Sequence, residues 1–212
     1  MNARALLAAA ALSFATAANA VPVDSVGDTF TVNFDGNVAT TSVAGLTASA
    51  TFLVTEFDAA AGRVVLQISL TNTSSPSLWQ SSRVSAVGFD VDGGLAGASA
   101  SGLFQSAVTG GHFPNQFGPI DVCAIDNSNN CTGGRNGGLS LGQSGVVTMT
   151  LTFSGPISSL DLANFGVRYQ SLNSSQLEIS EGSGTGHGAV PEPRTLALLG
   201  AAGLALFGRK RR

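Results

Sequence analysis

Hydrophobic and polar residues alternate with a period of two in several separate segments of this chain. In each segment every second position is apolar, and most intervening positions are threonine, serine or another small or polar residue. The clearest segments are residues 30–34, 64–70, 147–153 and 165–169. This alternation is typical of strands with one buried and one exposed face.

Turn-forming residues such as Asp92-Gly93-Gly94 separate these runs, and no run between them has apolar residues at helical spacing. We therefore predict an all-β fold over residues 21–180, an antiparallel β-sandwich or jelly-roll-like domain. The glycine- and serine-rich residues 181–189 predict a flexible linker. The stretch from Gly182 to Gly186 looks like a phosphate loop, but it lacks the lysine and the following helix.

The first 20 residues have the three parts of a secretory signal peptide in order. Arg4 supplies the positive charge, residues 5–17 supply a short apolar run that predicts a signal helix, and Ala18-Asn19-Ala20 provides the cleavage pattern. The sequence therefore predicts export through the Sec machinery, and a buried N-terminal helix is the alternative.

Residues 190–212, at the C-terminus, also differ in composition from the rest of the chain. Pro191-Glu192-Pro193 precedes an apolar run over residues 195–208, which predicts a short hydrophobic helix. That helix would rise about 21 Å, less than the ~30 Å hydrocarbon core of a bilayer. Basic side chains that flank the helix can compensate for its short length by extending to the membrane interface. By the positive-inside rule, the terminal basic cluster would stay in the cytoplasm. The basic residues of that cluster are Arg209, Lys210, Arg211 and Arg212.

This order of parts resembles the PEP-CTERM sorting signal of Gram-negative bacteria. The resemblance implies that an exosortase reads Pro191, Glu192 and Pro193 and cleaves the tail at the membrane. It also implies a precursor anchored on the outer face of the inner membrane, and then a location at the cell surface or in the extracellular matrix. Two prolines keep the segment extended, which suits a site that a membrane protease must read. An ordinary tail anchor is the alternative.

Phrases in the body of the chain are similar to the cistern family of PEP-CTERM proteins. They include residues 26–34, 43–52, 70–74, 87–92 and 164–170, the last with its Val-Arg-Tyr-Gln core. This resemblance extends over nearly the whole mature chain and implies export and sorting, but no biochemical activity.

The net charge of the predicted domain limits the classes of molecule that it can bind. Between Val21 and Gly188 there are four arginines, no lysine and twelve carboxylates, a net charge of −8. Such a domain repels phosphate backbones, so we exclude nucleic acid as a partner. Extracellular polysaccharide remains a candidate partner.

Cys123 and Cys131 are the only cysteines, and in an exported protein they predict a disulfide that fixes a polar loop. Asp90 and Asp92 are the candidate ligands for a calcium ion, with solvated turn residues as the simpler alternative. No other cofactor is indicated. Trp79, the only tryptophan, is the candidate contact for a glycan, with a buried or loop-anchoring role as the alternative.

Catalytic residues are not evident. His112 lies in a glycine-rich segment predicted to turn, His187 lies in the predicted linker, and no Gly-x-Ser-x-Gly motif occurs. We expect a structural or interaction protein rather than an enzyme. The alternatives are a carbohydrate- or calcium-binding module and, third, a secreted hydrolase using two acids or an acid with His112.

Overall fold

The computed structural model describes residues 20–126, 130–134 and 136–191, and their regular secondary structure consists of strands alone. The strands are β1 (Val21–Val23), β2 (Thr29–Phe34), β3 (Asn37–Val38), β4 (Thr41–Ser42), β5 (Ala48–Asp58), β6 (Arg63–Asn72), β7 (Ser81–Val91), β8 (Leu95–Gly102), β9 (Ser106–Phe113), β10 (Gly118–Ile125), β11 (Leu139–Ser140), β12 (Ser144–Phe153), β13 (Leu160–Ser174) and β14 (Ile179–Ala189).

The predicted all-β fold is confirmed. Within the described ranges no helix forms, and therefore none is long and apolar enough to cross a membrane. The predicted signal helix and the predicted C-terminal hydrophobic helix lie outside the described residues.

The strands form one antiparallel sheet in the order β8-β12-β6-β5-β2-β14-β13-β7-β10-β9. Outside this order β1 pairs with β13, β11 pairs with β7, and β3 pairs with β14 and β4. The sheet folds over so that its two halves pack face to face. The ring of Phe52 on β5 meets Phe89 on β7 and Phe165 on β13 edge to face, with centroids 5.8 and 5.4 Å apart. These aromatic contacts lie in the main core, which the inward residues of both halves share.

The two halves are joined on both sides. Strand β14 pairs with β13 in one half and, through Gly188 and Ala189, with β2 in the other. On the opposite side β8 and β9, which are consecutive in the chain, contact each other. The sandwich therefore has few free strand edges, which limits unintended pairing with other chains.

The predicted linker over residues 181–189 is wrong, because these residues belong to strand β14. The domain therefore extends to Ala189 rather than ending near residue 180. The glycines are needed where other backbones pass close by. A β-carbon would lie 2.5 Å from the Asn37 carbonyl oxygen at Gly184, and 2.4 Å from a methyl group of Val32 at Gly188. In this strand glycine marks close packing and not flexibility.

Strands β1 and β14 lie along the same edge of β13. Leu162 pairs with Val91 of β7 on one edge, so Val21, which also pairs with Leu162, must lie on the other edge. That edge is the one on which Gly166 pairs with His187 of β14. The residue that would follow signal cleavage thus lies close to the end of the last strand.

The outer face of strands β2, β5, β6 and β12 carries mainly hydroxyl and amide groups. Thr31 and Thr51 are directly opposite each other and share a hydrogen bond of 3.1 Å, and Thr71 and Ser144 share one of 2.8 Å. The polar positions of the sequence pattern therefore form a solvated face, as period-two alternation predicts.

Candidate functional site

The sorting residues begin where the last strand ends. Ala189 is the final residue of β14, Val190 packs against the main core, and Pro191 is exposed. Glu192, Pro193 and the basic residues Arg209, Lys210, Arg211 and Arg212 lie outside the described residues. One residue thus separates the folded domain from the first proline of the motif.

The carboxylates of Asp90 and Asp92 are occupied by hydrogen bonds within the fold. Asp90 accepts from the main-chain N–H of Asp121 at 3.0 Å and from the side-chain amide of Asn164 at 2.9 Å. Asp92 accepts from the main-chain N–H of Asp161 at 2.8 Å. No group of three or more metal-binding side chains occurs among the described residues. The geometry gives Asp90 and Asp92 a role in tying neighbouring strands together, and it lends no support to the predicted calcium site.

Trp79 is buried and anchors a loop. Its side chain is 1% exposed, and its indole N–H donates to the main-chain carbonyl of Ala44 at 3.0 Å. A buried indole presents no face on which a sugar could stack, so Trp79 is not available as the predicted glycan contact. Its ring belongs to the main core, and its one polar group is satisfied by that main-chain carbonyl.

The two histidines are placed differently from the sequence prediction. His112 lies in strand β9 rather than in a turn. His187 lies in β14, where its ring stacks on Phe117 with centroids 4.3 Å apart. The ion pair between Arg63 and Glu56 lies on the exposed surface and involves neither histidine. These positions give no support to an acid–histidine pair.

The predicted disulfide is present. Cys123 on β10 and Cys131 are both fully buried and bonded to each other. They belong to a second, smaller core on the outer face of β7 and β10, which also contains Phe113, Phe117 and Ile120. The disulfide therefore pins the segment after β10 onto the outside of the sheet.

Two arginines fasten the same segment through its main-chain carbonyl groups. Arg83 on β7 donates to the carbonyl oxygens of Gly134 at 2.9 Å and Gly137 at 2.7 Å. Arg168 on β13 donates through Nε to Thr132 at 2.8 Å, and through Nη1 to Gly184 of β14 at 2.6 Å. Arginine suits this role because its planar fork can bond several carbonyls at once.

Burial lowers the pKa of both arginines, in Arg168 to about 10. Arg168 stays cationic at neutral pH even so. No carboxylate bonds its guanidinium among the described residues, and its whole side chain is largely enclosed. An enclosed cation without a charged partner is uncommon in proteins.

A polar cleft of about 520 Å³ opens beside these arginines. Its lining includes Ser81, Arg83, Arg168, Gln170, Asn173 and Ser183. Sequence reasoning did not identify this cleft. The available signal was the scarcity of cations in an acidic domain, together with an arginine on the outward face of the apolar run 165–169.

A comparison with protein-family profiles matches residues 189–212 to the PEP-CTERM protein-sorting motif. The match includes the Pro-Glu-Pro residues, the apolar run and the basic cluster. A comparison with curated proteins finds no match to this chain.

Proposed function

Because the chain carries a PEP-CTERM sorting motif and is therefore an exported protein sorted by an exosortase, we propose that it has a structural or interaction role in the cell envelope or extracellular matrix. The motif implies a secreted precursor anchored at the membrane and later located at the cell surface. The match to residues 189–212 is the observation that carries the proposal.

Features of the domain support a role outside the cytoplasm. The disulfide between Cys123 and Cys131 suits an oxidising compartment. The sandwich has its strand edges covered and a solvated hydroxyl face, which suits a protein that must stay folded among other macromolecules. We assign no catalytic role, because neither His112 nor His187 forms an ion pair with a carboxylate among the described residues.

Export and tail cleavage would bring the protein to the cell surface. Sec export would remove residues 1–20, and the apolar run after Pro193 would hold the precursor in the membrane until an exosortase cuts the tail. The experiment compares intact masses of the protein from membrane and extracellular fractions of host cells with and without exosortase. We expect a secreted form that begins near Val21 and ends near Pro191, produced only with the enzyme.

A matched pair of variants sharpens this experiment. Replacing Pro191 and Pro193 by alanine should block tail removal, because the rigid recognition segment is lost. Pro156→Ala, at an exposed position in the loop between β12 and β13, should be processed normally. A full-length C-terminus with and without exosortase would contradict the sorting mechanism and leave a membrane-anchored β domain.

Saccharide binding is the second candidate function. The observation that favours it is the polar cleft beside Arg168, and not Trp79, which is buried.

A further inference from the structure

The cleft beside Arg168 is lined almost entirely by groups that form hydrogen bonds. Its hydroxyl, amide and guanidinium groups come from β7, β13 and β14, with Leu172 as the one large apolar side chain that contributes. The backbone of these strands is fixed by sheet pairing, for example between Ser81 and Asn173. A rigid polar cleft of this kind selects a ligand by hydrogen bonds and charge, since it offers little apolar surface.

The guanidinium of Arg168 has hydrogen-bonding capacity that the fold does not use. Its Nε and Nη1 atoms donate to main-chain carbonyls, whereas Nη2 bonds to none of the described residues. Nη2 is also not an enclosed atom, because Thr185 Oγ1 is the sole unpartnered side-chain atom buried within the described ranges. Arg168 lines the cleft, and we infer that Nη2 is the atom that it presents there.

Thr185 is a second residue near the cleft with an unpartnered polar group among the described residues. It lies directly opposite Arg168 in the pairing of β13 with β14, so the two side chains project from the same face of the sheet. Its hydroxyl is fully buried and has no hydrogen-bonding partner among the residues that the structure describes. Each of these two neighbouring residues therefore has one polar group without a partner among the described residues, and only that of Thr185 is fully buried.

Charge indicates the sign of the ligand. The described part of the domain is strongly acidic, yet Arg83 and Arg168 both line this one cleft. Arg168 is enclosed and no carboxylate of the described part of the chain is bonded to it, so its charge is only partly compensated by carbonyl dipoles there. A carboxylate in the cleft would supply that compensation through a short, charge-assisted hydrogen bond.

We propose that this cleft binds an acidic saccharide, with the carboxylate of a uronic acid unit at Nη2 of Arg168 and sugar hydroxyls at Gln170, Asn173 and Ser183. An acidic peptide fits less well, because the lining offers a single large apolar side chain. Such a site would give the proposed interaction role a specific class of ligand. It rests on the proposed function only for the cellular location at which the protein would encounter saccharide.

The test is calorimetric titration of the full-length chain in detergent with trigalacturonate. Maltotriose is the neutral control, and tetraglutamate and inorganic phosphate are the other anions. We expect binding of trigalacturonate that weakens as salt is added, and at least about tenfold weaker binding of each of the other three. Equal or tighter binding of tetraglutamate or phosphate would overturn the saccharide assignment, and absence of trigalacturonate binding would overturn the site.

Two isosteric variants locate the site. Asn173→Asp places a negative charge in the cleft without removing a hydrogen bond of that side chain, and should weaken binding about tenfold or more. Asn33→Asp makes the same change on exposed β2 of the other half and should leave affinity unchanged. Equal effects of the two variants would overturn the assignment.

Arg168→Gln should abolish binding, and its thermal melt shows whether the fold survives the loss of the bonds to Thr132 and Gly184. Retained binding in a folded Arg168→Gln protein would overturn the proposal. If that variant unfolds, the comparison of Asn173→Asp with Asn33→Asp tests the position of the site instead. Because binding is measured directly, its failure is distinct from a failure of exosortase processing.

Discussion

A β-carbon on Gly186 would lie 2.2 Å from the main-chain carbonyl oxygen of Asp35. The two residues belong to parts of the chain that are 151 positions apart, yet their backbones are in direct contact. Tyr169 donates its hydroxyl to the same oxygen at 3.1 Å. This crossing, where β14 passes the end of β2, holds the two halves of the sandwich together.

Gly186→Ala should therefore destabilise the domain by about 1–3 kcal/mol, because the backbone must shift to admit the methyl group. Gly155→Ala is the matched control, since nothing lies within 4 Å of a β-carbon at that exposed position. It should change the free energy of unfolding by less than about 0.5 kcal/mol. Urea denaturation of both variants measures the difference, and equal stabilities would show that the contact is not tight.

Alkaline pH should reduce the stability of the protein through its only tyrosine. Burial, and secondarily the charge of Asp35, raise the pKa of Tyr169 well above its ordinary value of 10.0. The unfolded chain then loses the phenolic proton at a lower pH than the folded chain does. The contribution of Tyr169 to stability is complete below about pH 10 and falls as the pH rises above that value.

Ultraviolet absorbance of tyrosinate follows this directly, because a single residue contributes. We expect tyrosinate to form together with loss of β-sheet circular dichroism, and not before it. Tyr169→Phe should make stability less dependent on pH above 10, although it also loses the hydrogen bond to Asp35. Ionisation near pH 10 in the folded protein would contradict the enclosed position of the ring.

Loss of the disulfide should loosen the segment that covers the outer face of the sheet. Replacing both Cys123 and Cys131 by serine should reduce the free energy of unfolding by about 2–3 kcal/mol, as expected for closing a short loop. Reduction of the unmodified protein should give a similar loss, measured by denaturant titration with and without dithiothreitol. Full stability after reduction would mean that Arg83 and Arg168 hold the segment without the covalent bond.

Trp79 provides an intrinsic probe of the same fold. Because its indole is buried, its fluorescence should be blue-shifted and resistant to quenching by acrylamide. Trigalacturonate should leave the spectrum unchanged, since Trp79 does not line the cleft. Trp79→Phe should cost about 1–3 kcal/mol of stability, because the Ala44 carbonyl loses its donor and part of the core is left unfilled. A saccharide-dependent shift in emission would restore Trp79 as a glycan contact.

The strands that sequence analysis found are those with large apolar side chains at alternate positions, such as β2 and β12. Strand β8 gave no such signal, because Leu95 is its only large side chain and the rest are alanine, serine and glycine. Strand β14 was mistaken for a linker for a related reason. Its glycines are required by contacts with Asn37, Asp35 and Val32, which are distant in sequence and cannot be read locally.

The sorting motif and the disulfide could be predicted because each depends on a short local pattern or on the only two cysteines. The cleft could not be predicted from the sequence. Arg168 becomes a candidate ligand-binding residue only when Thr132 and Gly184 are brought to its Nε and Nη1 atoms and Nη2 is left over. The same limit applied to Asp90 and Asp92, whose oxygens are engaged by residues 161–164 and by Asp121.

The position of β14 also has a consequence for the timing of folding during export. The facing edges of β2 and β13 have no strand between them until residues 179–189 arrive, and these end one residue before Pro191. The domain therefore cannot close progressively from its N-terminus as it emerges. The final step of folding and the delivery of the sorting residues to the membrane coincide, so an incomplete chain lacks both a finished core and the signal for release.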